Sequence, residues 1–116
     1  MDRIDRHKEL ALTLNDIYKS KNYDYGDAFG ESCDEFGPVA GLIRMNDKMN
    51  RLKSIINENH EQKVSDESIK DTLLDLANYS LMLEVWFEGK RIENGNSLSS
   101  DVINDIHVPN IKIDHI

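Results

Sequence analysis

The stretch "IKDTLLDLANYSLMLEVWFEGK", residues 69–90, decides the fold of this 116-residue chain. It is the most apolar segment, and its hydrophobic residues recur at helical spacing. The preceding "SDES", residues 65–68, offers Ser65 or Asp66 as an N-cap with acids in the first turn. We therefore expect a long, central helix that stops near Gly89.

Two further helices are expected before this one. The first runs from Asp2 to about Lys21 and ends before the turn-forming "NYDYGD", and the second begins near Pro38. The residues that carry the apolar spacing are Leu10, Leu14, Ile17 and Tyr18 in the first helix, and Leu42, Met45, Met49, Leu52 and Ile56 in the second. Between them "ESCDEFGP" suits a short helical turn. The pattern predicts an all-α bundle of three to four helices, with ligand sites between facing helices.

Composition and charge narrow the class of protein. The formal net charge of −8 argues against duplex nucleic acid as a partner, although a small phosphorylated ligand needs only a few placed cations. The single Cys33 gives no disulfide or zinc motif, and no apolar run reaches the roughly 20 residues that span a bilayer. We expect a cytoplasmic, non-membrane protein with a helical domain over residues 1–90 and a loosely ordered tail over residues 91–116.

The first candidate site is a cationic stripe on the second helix. In "RMNDKMNR", Arg44, Asp47, Lys48 and Arg51 lie at i, i+3, i+4 and i+7, so they project from one side. Three cations with one carboxylate suit a phosphate group, and Asp47 would orient an arginine or help to hold a cation. An exposed face of ion pairs explains the same pattern.

The second candidate is an acidic stripe on the central helix. Asp71, Asp75 and Asn78 lie at i, i+4 and i+7, Tyr79 is adjacent, and Glu67 extends the row by one turn. Like charges one turn apart repel each other beside an apolar surface, so something must compensate them. Either the cations of the second helix pair with them, or they hold Mg²⁺ together with substrate phosphates. We expect the two stripes to face each other across one cleft.

The third candidate is the aromatic segment "KNYDYGDAF", residues 21–29. Tyr23, Tyr25 and Phe29 would stack on a planar base, Lys21 would meet a phosphate, and Asp24 or Asp27 would accept hydrogen bonds from a base or ribose. A plain connection between helices is the alternative.

These three motifs, taken in order, resemble the nucleotide modification associated domain 1 family, small proteins common in phages and prophages. The likeness covers roughly residues 14–88. This family is similar in helical pattern to the all-α MazG-like pyrophosphatases, which cleave nucleoside triphosphates with Mg²⁺. The resemblance implies that Asp71 and Asp75 are catalytic acids and that Mg²⁺ is held by them with Glu67 or Asp47. The second helix departs from those enzymes, since Asp47 is its only acid where they carry an acidic pair.

Two functions follow as expectations. The leading one is a nucleotide-binding, Mg²⁺-dependent nucleoside triphosphate pyrophosphohydrolase, in which Lys21, Arg44, Lys48 and Arg51 offset the developing charge. The alternative is a non-catalytic protein that sequesters a nucleotide or cyclic nucleotide, as a phage would against host defence. We also expect a homodimer or homotetramer that pairs through the central helix, because three long helices bury little core alone.

Overall fold

The computed structural model describes residues 2–57 and 66–95, and these residues form four helices. The helices are α1 (Arg3–Tyr25), α2 (Ala28–Phe36), α3 (Val39–Asn57) and α4 (Asp66–Glu93). The all-α class is confirmed, whereas the MazG-like arrangement stays a prediction. From residue 96 onward, the predicted tail lies outside the described residues. Within the described helices, none is both long enough and apolar enough to cross a bilayer.

The first helix is longer than the sequence predicts. Asp2 caps its start by accepting a hydrogen bond from the backbone N–H of Ile4 over 3.3 Å. Its end lies at Gly26, which has φ of 69° and donates its N–H to the Asn22 carbonyl over 2.9 Å. Only glycine takes this left-handed conformation at little cost, so it sets the helix end and the turn-forming Asn22 and Asp24 fall inside the last turn. The predicted break before Asn22 is therefore wrong.

The short second helix packs against α3. Asp27 caps it by accepting from the Gly30 N–H over 3.0 Å, and Gly37 closes it by donating to the Cys33 carbonyl over 2.8 Å. The thiol of Cys33 is 1% exposed, and this burial raises its pKa, although a backbone hydrogen bond from Gly41 works in the opposite direction. The region predicted as a single turn is thus a nine-residue helix that buries its own core residues.

A close approach between helices occurs at Gly41 on α3. A Cβ atom at this position would lie 2.9 Å from the ring of Phe29 on α2 and 3.0 Å from a methyl group of Leu83 on α4. Because these distances are shorter than ordinary van der Waals contacts, the packing of three helices here requires a residue without a side chain.

Two details of α3 and α4 differ from the sequence prediction. The apolar stripe on α3 is buried only in part: Leu52 is 5% exposed, but Leu42 is 54% and Ile56 is 63% exposed. The central helix continues past Gly89 to Glu93, because a single glycine weakens a helix without ending it.

The chain divides into two compact units, residues 1–84 and 85–116, and α4 passes through the boundary. In the described part of the second unit, Trp86 meets Phe87 edge to face with ring centroids 5.2 Å apart. The Nζ of Lys90 lies 5.6 Å from the Trp86 ring centroid and 3.1 Å from a Glu93 carboxylate oxygen. All the candidate site residues lie in the first unit.

Candidate anion-binding cleft

A cleft lies beside the cationic side of α3. Its cavity of about 460 Å³ is lined by Arg44, Asp47, Lys48 and Arg51 from α3 and by Tyr79 from α4. The first four residues share one side of the helix because they lie three, four and seven positions apart. We call these five residues the cationic cleft. Lys48 and Asp75 bring the α3 and α4 stripes into contact. The acidic residues Asp71 and Asp75 line a separate cavity, so the single shared cleft predicted for the two stripes is not formed.

One carboxylate connects three helices beside this cleft. The Nζ of Lys48 lies 3.0 Å from one oxygen of Asp75, and the Nζ of Lys21 on α1 lies 3.2 Å from the other oxygen. Burial acts to raise the pKa of Asp75, but the hydrogen bonds and positive charges of the two lysines outweigh it and lower the pKa below its ordinary value. Asp75 is therefore an ionised partner of two cations.

The arginine at the far end of the stripe is held by a residue that the sequence analysis missed. Arg51 donates from Nε to the hydroxyl oxygen of Thr72 over 3.2 Å, and Thr72 donates to the Ser68 carbonyl over 2.7 Å. Thr72 is 3% exposed, whereas Arg51 is exposed, so the threonine fixes one end of a guanidinium group that solvent can reach. The sequence contains one indication that Thr72 takes part in the site, which is its position. It lies next to Asp71 and four residues after Ser68 on α4.

Arg44 has no such partner. It is partly buried and lines the cavity, yet among the described residues it forms no hydrogen bond or ion pair. The lining holds three cations against the single carboxylate of Asp47, and only Lys48 is paired with Asp75. The cleft therefore carries uncompensated positive charge on a chain whose net charge is −8. Such a site attracts a small anion.

A second cavity of about 300 Å³ lies on the other side of the lysine-bound carboxylate. It is lined by Ile17, Lys21, Asp71, Leu74 and Asp75. Asp71 is exposed on α4, and the equally exposed Glu67 lines neither of these two cavities. The acidic row is thus split between a lysine-paired residue and two residues at the surface.

The predicted aromatic platform is not formed as expected. Phe29 is 3% exposed and stacks on Tyr79 with ring centroids 5.7 Å apart, so it belongs to the core and cannot take a base. Tyr23 is 91% exposed and Asp24 is also exposed, both on the last turns of α1. The side chain of Tyr25 lies outside the description. Among the predicted aromatic residues whose side chains are described, Tyr79 is the one that lines the cationic cleft.

Asn78, which the sequence suggested as a ligand-binding residue of the acidic stripe, makes a structural contact in the fold. It is 8% exposed, and its Nδ2 donates to the backbone carbonyl of Leu14 over 3.1 Å. A buried amide requires such a partner, so Asn78 fastens α4 to α1.

The four predicted Mg²⁺ ligands, Asp47, Glu67, Asp71 and Asp75, do not converge on one cavity. Within the described residues, no three or more histidine, cysteine or acidic side chains come together in a way that would hold a metal. Asp75 already has a lysine on each oxygen, and Asp47 lines a different cavity from Asp71. For Asp75, the predicted alternative of pairing with a cation of the second helix is met by Lys48, and Lys21 on α1 adds a second pair.

Comparison with known proteins gives one match. The family described as nucleotide modification associated domain 1 matches residues 21–85, more than half of the chain, and the chain belongs to this family. Neither the curated proteins nor the solved structures include a significant match. The matched range contains every residue of the cationic cleft, together with Lys21 and Asp75.

Proposed function

We propose that this family member binds the phosphate group of a nucleotide in the cationic cleft and holds it without a divalent cation. The observation that carries the proposal is Arg44, a partly buried arginine that lines the cavity and has no partner among the described residues. A partly buried arginine without a paired carboxylate keeps its guanidinium donors for a ligand, and a phosphate would accept two parallel hydrogen bonds from them.

The neighbours of Arg44 support the same ligand. Arg51 uses its Nε for Thr72, which fixes the orientation of the guanidinium group. Lys48 adds a third cation, which a bound phosphate would share with Asp75, 3.0 Å away. A preorganised donor lowers the entropy cost of binding, so the oriented guanidinium of Arg51 binds an anion better than a mobile one would. The family description, which refers to nucleotide modification, agrees with a phosphorylated ligand.

Sequestration is the mode of action that we favour over hydrolysis. A pyrophosphohydrolase of the predicted kind needs Mg²⁺ on its carboxylates, and Asp75, the carboxylate of α4 beside the cationic cleft, has a lysine on each of its oxygens. The cationic cleft provides lysine and arginine side chains, which neutralise phosphate charge without a metal ion. Lys21, on the other side of Asp75, would extend this positive region to a second phosphate.

Titration calorimetry tests the proposal. The protein would be titrated with nucleoside mono-, di- and triphosphates and with cyclic dinucleotides, first in EDTA and then in excess Mg²⁺. We expect binding of at least one ligand in EDTA, with an affinity that Mg²⁺ leaves unchanged or weakens, because Mg²⁺ competes with the lysines and arginines for phosphate oxygens. Binding that appears only with Mg²⁺ would contradict metal-free recognition.

Product analysis separates the two functions. Each ligand would be incubated with the protein, with and without Mg²⁺, and the mixture resolved by anion-exchange chromatography. Intact ligand is the expected result. Release of pyrophosphate from any triphosphate would establish the hydrolase and reject sequestration. Native mass spectrometry of protein purified from cells would identify a co-purified nucleotide directly.

A further inference from the structure

One side of α3 is apolar and open to solvent. Five large hydrophobic side chains on this helix are between 42% and 63% exposed: Val39, Leu42, Ile43, Met49 and Ile56. Asn46, Asn50 and Lys53 lie among them and are exposed as well. We call these eight residues the α3 apolar face. Leu42, Met49 and Ile56 recur every seven residues, which is the repeat that keeps a hydrophobic seam facing a second helix.

This face points away from the cationic cleft. At about 100° per residue, Leu42 lies roughly 160° around the helix from Arg44, and Met49 lies roughly 160° from Arg51. The α3 apolar face and the cleft are thus nearly opposite, so a protein bound to the face would leave the cleft open.

The described core is too small for the apolar surface of the chain. Four hydrophobic residues are buried, Phe29, Cys33, Leu52 and Leu83, whereas thirteen large hydrophobic residues are exposed in the described part. A domain of this size needs most of its apolar side chains in a core or an interface to be stable. A protein partner that covers several of these exposed residues would bury the apolar surface that the core leaves in contact with water.

The size of the face matches one side of a dimer interface. Five large side chains, each about half exposed, present on the order of 400 Å² of apolar surface, which is as large as the patches that usually mark an interaction site. Because interfaces are a little over half apolar, this corresponds to roughly 700 Å² per partner, close to the ~800 Å² of a standard interface. The polar remainder is supplied by the two asparagines and the lysine.

We propose that a second copy of this chain covers the α3 apolar face in a two-fold dimer. A two-fold axis pairs a surface with itself, and the ~27 Å length of a 19-residue helix presents enough of the face to its own copy. Met49, near the middle of α3, lies close to the axis. The dimer then uses α3, where the sequence analysis expected the central helix, and it carries two outward-facing clefts.

Sedimentation velocity at micromolar concentration tests the dimer. The wild-type chain should sediment at twice 13.4 kDa, and Leu42→Glu and Met49→Glu should each raise the dissociation constant at least about tenfold by placing a charge in the interface. Leu81→Glu is the matched control, because Leu81 is 55% exposed on α4. A monomeric wild-type chain would overturn the proposal, and so would a dimer that Leu81→Glu alone disrupts.

Cross-linking provides a second measurement that does not depend on charged variants. Met49→Cys should form a disulfide-linked dimer under mild oxidation, whereas Leu81→Cys should not. The native Cys33 is 1% exposed and would not interfere. Cross-linking through position 81 without cross-linking through position 49 would reject the α3 apolar face as the interface.

Discussion

Lys48, which lines the cationic cleft, forms an ion pair over 3.0 Å with Asp75, which lines the adjoining cavity. The negative charge of Asp75 therefore competes with any anion in the cleft for the same ammonium group. This competition distinguishes a phosphate binder from a metal-dependent hydrolase. In a phosphate binder the carboxylate of Asp75 weakens ligand binding, whereas in the hydrolase it is needed for activity.

Asp75→Asn should strengthen phosphate binding in EDTA by about two- to fivefold, because it removes a partly exposed competing charge and keeps a side chain of similar shape. In a Mg²⁺-dependent hydrolase the same substitution abolishes turnover. Titration calorimetry of the variant with the ligand that binds best to the wild-type chain measures the change. A loss of affinity greater than tenfold in a folded variant would contradict metal-free binding.

Arg44→Gln should weaken binding of the same ligand by about 1.5–3 kcal/mol, roughly ten- to a hundredfold, which is the usual value of a charge-assisted hydrogen bond. The control is Lys19→Gln, which removes an exposed cation from α1 and changes the net charge by the same amount. If both variants lose affinity equally, the effect comes from overall charge and the cleft has no specific role.

The approach of α3 to α4 was predictable because charge and spacing coincide there. Arg44, Lys48 and Arg51 share one side of α3, and an acidic row beside leucines on α4 requires cations. Which compensation the carboxylates receive was not predictable from spacing, since a lysine and a metal ion satisfy an aspartate equally well. For Asp75 the structure shows lysine contacts, and the contact with Lys21 joins residues 54 positions apart.

The aromatic segment shows why the rest of the site could not be predicted. Asn22 and Asp24 favour turns, yet a later glycine ends α1, so local preference gave the wrong boundary. Phe29 was assigned to the ligand because its neighbours are polar. Its burial depends on Gly41 and Tyr79, which are remote in sequence and meet it only after folding.

Gly41→Ala should lower the free energy of unfolding by about 1–2 kcal/mol. The new methyl group would lie 2.9 Å from Phe29 and 3.0 Å from Leu83, and the cost of this overpacking exceeds the helix propensity that alanine adds. Gly89→Ala is the matched control, since nothing lies within 4 Å of its Cβ position, and it should raise stability by about 0.5–1 kcal/mol. Urea unfolding measures both. Equal effects of the two substitutions would argue against the close packing at Gly41.

The stability of the chain should depend on pH through Asp75. Its pKa in the folded protein is lower than its ordinary value of 3.8, so the carboxylate adds stability that is fully present above that value. Below pH 3.8 the unfolded chain takes up the proton first, and the contribution is lost as the pH falls through the lowered pKa of the folded state.

The comparison with Asp75→Asn isolates this effect. Above about pH 5 the wild-type chain should be more stable than the variant by up to about 1 kcal/mol, a value limited by the partial exposure of the pair. The difference should shrink below pH 3.8. Urea midpoints measured over this range provide the test, and a difference that grows toward acidic pH would contradict the lysine pairing.

Two contacts between α4 and α1 fix the alignment of these helices. Asn78 donates to the carbonyl of Leu14, and Asp75 accepts from Lys21. Leu14 and Lys21 are seven residues apart, which is about two turns, so both contacts lie on one face of α1. Deleting or inserting one residue between them would turn Lys21 by about 100° relative to Leu14 and break one of the two contacts. Changes in chain length should therefore be tolerated before Leu14 and excluded between Leu14 and Lys21.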